Sequence, residues 1–173
     1  MSAEELRERI REIPDFPKPG ILFYDITTLL KDAAAYREAI DLMIEPYKGE
    51  SIDVVVGMES RGFIFSSPMA YQLGAGLVPV RKLGKLPAET ITVEYALEYG
   101  SNTLEIHRDA IAPGQRVLII DDLLATGGTV GGTIELVERL KGEVVGLAFL
   151  VELDFLKGRD RLGGRRVTSV IQY

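Results

Sequence analysis

The stretch Val117–Thr129, VLIIDDLLATGGT, runs from an apolar strand pattern through two adjacent acids into a turn of threonine and glycine. Val117 to Ile120 are branched apolar residues in an unbroken run, the signature of a strand buried on both faces. The segment that follows, TVGGTIELVERLKG, sets Val130, Ile134 and Val137 on one face of a helix. The sequence therefore predicts a strand, a tight turn and a helix, with Asp121 and Asp122 at the strand's carboxyl end. Ala125 to Thr129 open the helix. Such a turn suits a phosphate: glycines let the backbone approach an oxyanion closely, successive N–H groups converge on it, and the helix N-terminus adds favourable partial charge. Thr126 and Thr129 add hydroxyl donors. The two acids would repel the same phosphate, so they call for a hydroxylic or cationic group beside it, and a sugar phosphate offers both. The competing reading makes the acids a cap and the glycines a tight connection. A Walker-type loop is excluded because no Gly-Lys-Ser/Thr follows, and G-x-G-x-x-G is absent.

Working outward, the same alternation recurs. DAAAYREAIDLMIEPYK carries Tyr36, Ala39, Ile40, Met43, Ile44 and Tyr47 at helical spacing, with Asp32 as N-cap. SIDVVVG is a short branched strand, and GFIFSSPMAYQLGAG reads as a helix closed by a glycine turn. GLVPVRK, RVLII and EVVGLAFLVEL add strands. Strands alternating with helices predict an α/β fold, a mostly parallel twisted sheet flanked by helices, with ligands beyond the carboxyl ends of the strands. Between residues 82 and 110 the pattern reads instead as a hairpin or mobile excursion of the kind that forms lids.

A chain of 173 residues is one ordinary domain, and 46% hydrophobic with 27% charged residues describes a globular protein. The net charge of -6 gives no general attraction to nucleic acid or anionic lipid. No apolar run reaches the roughly 18 residues of a membrane span, and MSAEELRERI is charged where a signal peptide is apolar, so the expected location is cytoplasmic. Without cysteine there is no disulfide framework, thiolate zinc site or Cys nucleophile, and one histidine, His107, argues against a His-based metal cluster. His107 itself reads as a surface residue.

VLIIDDLLATGGT resembles the phosphoribosyl pyrophosphate (PRPP) signature of the type I phosphoribosyltransferases. DFPKPGILFYDITTLL, GMESRGFIF, VRKLGKLP, LEYG, LEIHRDAI and LVEL…LKGRDRL stand in the order of that family's adenine branch, nearly end to end. The resemblance implies transfer of phosphoribose from PRPP to N9 of adenine, giving AMP and pyrophosphate with Mg²⁺ held mainly through substrate oxygens rather than by direct protein ligands. It implies that Ala125, Thr126, Gly127, Gly128 and Thr129 hold the 5-phosphate and that Asp121 and Asp122 accept from the ribose hydroxyls. Glu59, Ser60, Arg61, Arg81, Lys82 and Lys85 would serve the pyrophosphate, with Glu59 standing where the family commonly has aspartate. Residues 1–30 would form a hood in which Leu22, Phe23 and Tyr24, with Arg61, meet the adenine. Residues 82–110 would form the lid, carrying Tyr99 and Glu98, the acid–base group at adenine N7. Arg61, Asp121 and Asp122 would join Glu98 in catalysis. A homodimer is also implied, with Arg81 reaching the neighbouring subunit's pyrophosphate site.

The residues alone leave other readings. RKLGK can be a solvated basic turn and PGILFYDI a buried N-terminal segment. A phosphoribosyltransferase for 6-oxo purines would share the PRPP half but need a donor where adenine's amine needs an acceptor. A PRPP-sensing regulator would need a basic nucleic-acid face, which an acidic chain does not offer. A sugar-phosphate-binding structural protein would lack the lid and Glu98.

Overall fold

The computed structural model describes residues 1–96 and 100–173. Seven strands form one mixed sheet in the order β5-β6-β4-β3-β7-β8-β9. Five of them, β3 (Val54–Met58), β4 (Gly76–Lys82), β7 (Arg116–Leu124), β8 (Glu143–Glu152) and β9 (Val167–Gln172), run parallel. The hairpin β5 (Thr90–Ala96) and β6 (Ser101–His107) extends the β4 edge antiparallel, so residues 82–110 are largely sheet. Among the described residues no helix is long and apolar enough to cross a membrane.

The branched runs are buried on both faces because helices cover both. Along β3 and β7, Val55, Leu118 and Ile120 pack towards α3 (Ala33–Ile44) and α4 (Gly62–Leu73). Their neighbours Val54, Val56, Val117 and Ile119 pack towards α5 (Gly128–Arg139) and the hairpin. Asp32 caps α3 by accepting from the N–H groups of Ala34 and Ala35, and Gly74 ends α4 in the left-handed conformation. The sequence expectations for α3, α4, α5, β3, β4 and β8 therefore hold to within a few residues. β7 is longer than RVLII suggests, and Asp121 and Asp122 lie inside it.

That extension decides where the site falls. β3 pairs with β7 only as far as Gly57 and Ile120, whereas β8 stays paired with β7 to Leu124 and Glu152. Beyond Ile120, β7 is open on its β3 side. α4 carries the chain from β3 to β4 in one direction, and α5 carries it from β7 to β8 in the other, so the opening lies at the switch point of the sheet.

Three elements carry no strong sequence signal. β1 (Arg11–Ile13) and β2 (Phe23–Asp25) make a separate two-stranded antiparallel pair behind the short helix α1 (Ala3–Arg7), and β9 closes the far edge of the main sheet. The β1–β2 pair is fixed by Asp25, which accepts from the Thr27 hydroxyl, Arg11 and the Thr27 N–H, and these hold its carboxyl down to about 2.

Glu105, on β6, is only 3% exposed. Its Oε1 accepts from the N–H groups of Lys85 (3.0 Å) and Leu86 (2.8 Å), and Oε2 from the Thr90 hydroxyl. Burial alone would raise its pKa, but these donors outweigh burial and hold it below the usual range. A depressed folded-state pKa stabilises the fold above the ordinary glutamate pKa, and that contribution is lost as pH falls through the folded value. Glu105→Ala would strand two N–H groups, so we expect a loss of about 2–4 kcal/mol in urea denaturation at pH 7. Glu105→Gln should lose less, with its deficit shrinking in acid. A Glu105→Ala protein as stable as wild type would remove this clamp from the account.

Candidate active site

A cavity of about 370 Å³ occupies the opening at the switch point, lined by the β3–α4 loop, Lys82 and residues 121–130. Its floor at the entrance to α5 is the turn expected from sequence. Gly127 precedes the helix at φ +89°, a conformation suited to glycine, and its carbonyl accepts from Gly131 N–H. Thr126, Gly127, Gly128 and Thr129 line this space at the first turn of the helix, where N–H groups lack intrahelical partners.

The turn is backed by a 3-10 segment, Gly158–Arg161. A Cβ on Gly127 would lie 2.9 Å from the Gly158 carbonyl oxygen, and one on Gly158 would lie 2.5 Å from that of Ala125. Arg159 Nε in turn donates to both carboxylate oxygens of Glu152, which is 2% exposed. These residues of LVEL and LKGRDRL were not given roles from sequence. Their signal there is a buried acid seven positions before a basic residue, which only the fold can pair.

The two acids are not equivalent. Asp122 accepts from Arg61 Nε at 2.7 Å, and its side chain is 9% exposed against 48% for the arginine. Asp121 Oδ1 accepts from the Asp122 N–H, and its carboxyl sits deep enough that burial, and then the adjacent Asp122 charge, push its pKa well above the usual range. Arg61 opposes that shift without cancelling it. Gly62 lets the start of α4 lie against this carboxyl, since a Cβ there would be 2.9 Å from Asp121 Oδ1.

Of the residues expected at the pyrophosphate, Glu59, Ser60, Arg61 and Lys82 line the cavity, whereas Arg81 and Lys85 do not. Glu59 is engaged by its own neighbours. Its N–H donates to the Val80 carbonyl, and its carboxylate accepts from Lys82 N–H (2.8 Å) and Arg81 Nη2 (3.3 Å). Burial would raise its pKa, but those donors hold it below the ordinary value, so it stays anionic and has no donor to offer an anion. It fixes the backbone of the basic strand end instead.

Arg61 also lines a second cavity, about 350 Å³, with Ile13, Phe16, Phe23, Tyr24 and Asp25–Thr27. Its guanidinium lies 5.7 Å from the Phe23 ring centre, and Phe16 meets Phe23 edge-on at 5.1 Å. Leu22 is exposed and outside this lining. His107 accepts from the Ala88 N–H. Glu98 and Tyr99 lie outside the described residues.

An anion cradle, an acid pair and an aromatic cavity at one switch point define a protein that holds a sugar phosphate beside a flat ring. Residues 25–168 match the Phosphoribosyl transferase domain, and the chain belongs to that family. Within it, the chain is 60% identical over its full length to an adenine phosphoribosyltransferase of Acidobacterium capsulatum, covering 96% of that protein. A solved adenine phosphoribosyltransferase of Thermoanaerobacter pseudethanolicus superposes with a TM-score of 0.96 at 53% identity, covering 99% of this chain and 100% of that one. The Saccharomyces cerevisiae enzyme, solved with an imino-altritol bisphosphate and adenine, gives 0.91 at 42% identity, with 97% of each chain covered.

Two substitutions test this geometry. Because the folded-state pKa of Asp121 is raised, its stabilising contribution is full below the ordinary aspartate pKa and is lost as pH rises through the folded value. Asp121→Asn should therefore melt higher than wild type at neutral pH, by about 2–4 °C per kcal/mol relieved, with the gap closing in acid. Equal melting curves at both pH values would mean that the carboxyl is not strained by burial. Gly127→Ala forces a side chain into the left-handed region, at about 1–2 kcal/mol, before its clash with Gly158 is counted. Calorimetry should show weakened AMP binding by a folded protein; unchanged affinity would remove the turn from the binding site.

Proposed function

We infer that this chain transfers the phosphoribosyl group of PRPP to N9 of adenine, releasing pyrophosphate and forming AMP. The observation that carries the reading is that one residue, Arg61, lines both cavities, with the cradle and acid pair in one and the Phe23 ring in the other. In this reading Ala125–Thr129 hold the 5-phosphate, and Asp121 and Asp122 accept from the ribose hydroxyls. As the bond from C1 to pyrophosphate breaks, the sugar gains cationic character, and the bond from N9 forms on the opposite face.

Charge placement rather than a covalent nucleophile lowers that barrier. The buried carboxyl of Asp121 is costly to ionise in the empty site, and a developing ribosyl cation beside it favours the ionised form. Ser60, Arg61 and Lys82 attract the departing pyrophosphate, while Arg81 and Lys85 add positive charge from outside the lining. Among the described residues no group of three or more His, Cys, Asp or Glu could hold a metal. A Mg²⁺ carried mainly by substrate oxygens and water would supply charge neutralisation for the leaving group. Phe23 offers a ring face to adenine and the backbone of residues 22–24 an acceptor to its exocyclic amine. Glu98 is our assignment for proton handling at N7, with Tyr99 beside it.

We further propose a cytoplasmic homodimer. Tyr71 (88% exposed), Leu77 and Leu83 are exposed apolar side chains available to a second copy, and light scattering would test the dimer.

The direct test is a spectroscopic assay with PRPP, Mg²⁺ and each of adenine, hypoxanthine, guanine and xanthine. Adenine should be consumed and AMP formed, whereas hypoxanthine should turn over at least about 10²-fold less efficiently, because its oxygen faces an acceptor left without a donor. Efficient turnover of hypoxanthine would overturn the choice of base, and no turnover of any base the reaction class.

A further inference from the structure

The second glycine pair of the helix, Gly131 and Gly132, lies beyond the phosphate turn, and each helical glycine costs roughly 1 kcal/mol against alanine. Gly132 has a packing reason. A Cβ there would lie 3.2 Å from Val93 Cγ1 and 3.7 Å from Tyr95 Cδ1, and one on Gly128, a turn earlier, 3.4 Å from Tyr95 Cδ2. Gly128 and Gly132 thus clear a strip on α5 against which the Tyr95 ring, from β5, is laid.

At the end of that strip the Thr129 hydroxyl is hydrogen-bonded to the Tyr95 hydroxyl at 3.3 Å. Behind Tyr95, Asn102 Nδ2 donates to the same phenolic oxygen at 3.4 Å. Tyr95 and Asn102 are direct cross-strand partners in the hairpin, so the ladder fixes their spacing. Thr129 lines the cavity, and neither Tyr95 nor Asn102 does.

We propose that Tyr95, held by Asn102, is a positioning residue that aims the Thr129 hydroxyl at the substrate's 5-phosphate. The proposal rests on the phosphoribosyl transfer reading above. In the empty site Thr129 donates to Tyr95. When a phosphate arrives, which can only accept once ionised, Thr129 must turn its single proton to it. The Thr129 oxygen then needs a donor, and Tyr95 supplies one by reversing the bond, since either hydroxyl can give or accept. Asn102 donates to the phenolic oxygen throughout, leaving the phenolic proton free for Thr129. All three groups are then satisfied in one direction, from amide to phenol to threonine to phosphate.

Tyr95→Phe keeps the ring in its strip and removes only the hydroxyl. By calorimetry it should weaken AMP binding about threefold to tenfold, the worth of one net hydrogen bond, and raise the KM for PRPP similarly. Adenine alone should bind as in wild type. Thr129→Val should weaken AMP more, and the double variant should be no worse than Thr129→Val, because the relay ends at that hydroxyl. Asn102→Ala should shift AMP affinity in the same direction by a smaller factor. Unchanged AMP affinity in Tyr95→Phe, equal losses for AMP and adenine, or full additivity with Thr129→Val would each overturn the relay. A wild-type protein that fails to bind AMP would overturn the functional reading itself, which separates the two failures.

Discussion

The ion pair between Arg61 and Asp122 is the joint on which the site depends. β3 ends at Met58 while β7 continues to Leu124, and the gap this leaves would be open solvent without a side chain to span it. Arg61 spans it from the α4 side, meeting Asp122 at 2.7 Å while its guanidinium reaches the Phe23 ring. An exposed pair of this kind is worth little, but here the acid is nearly buried, and removing the arginine would leave an uncompensated charge in the sheet. Because Arg61 holds Asp122, the electrostatic strain falls on Asp121. One contact therefore divides an apparently redundant acid pair into a paired anion and a strained one, and ties both to the aromatic cavity.

The cradle shows the same dependence on what lies behind it. Gly127 can hold its left-handed conformation in any protein, but its placement here is set by the carbonyl of Gly158, against which a Cβ would collide. That segment is kept in place by Arg159 on the buried Glu152, at the end of β8. A loop site becomes precise when rigid elements fix the loop from outside. The sheet thus positions the turn twice, through β7 before it and β8 behind it.

Much of this was legible from residue order, and the reason is local. Val117–Ile120, GLVPVRK and the faces of α3 and α5 carry their period within one element, so burial on both sides of the sheet could be read from them. The turn at Ala125–Thr129 was legible because glycine, threonine and a helix start are adjacent in the chain. What escaped depends on distant partners. Glu105 and Glu152 look like ordinary surface acids until the fold gives them donors from residues 85, 86 and 159. Glu59 reads as part of an anion loop by position, yet its carboxylate is taken up by Arg81 and Lys82. β1 and β2 are each three residues long, too short for a period, and the RVLII pattern stops short of the end of β7 because two adjacent acids read as the end of a strand. Asp121 and Asp122 sit inside β7 where its β3 partner has stopped, and that is a property of the sheet.

The acidic balance of the chain then has a consistent explanation at the site. A net charge of -6 works against the binding of polyanionic substrates. The acids nearest the basic segment are spent on its backbone: Glu59 on Lys82 N–H, Glu105 on Lys85 and Leu86 N–H. Both stay ionised with their oxygens taken up by donors of that segment, Glu105 almost fully buried and the Glu59 side chain 15% exposed. Lys82 is left lining the cavity, whereas the Arg81 guanidinium is held by Glu59. At a Debye length of about 8 Å, distant surface acids are screened from the crevice while Lys82 is not. Affinity for a polyanion is decided by which charges lie within that length, and Glu59 and Glu105 fix the backbone that carries Lys82 to the cavity.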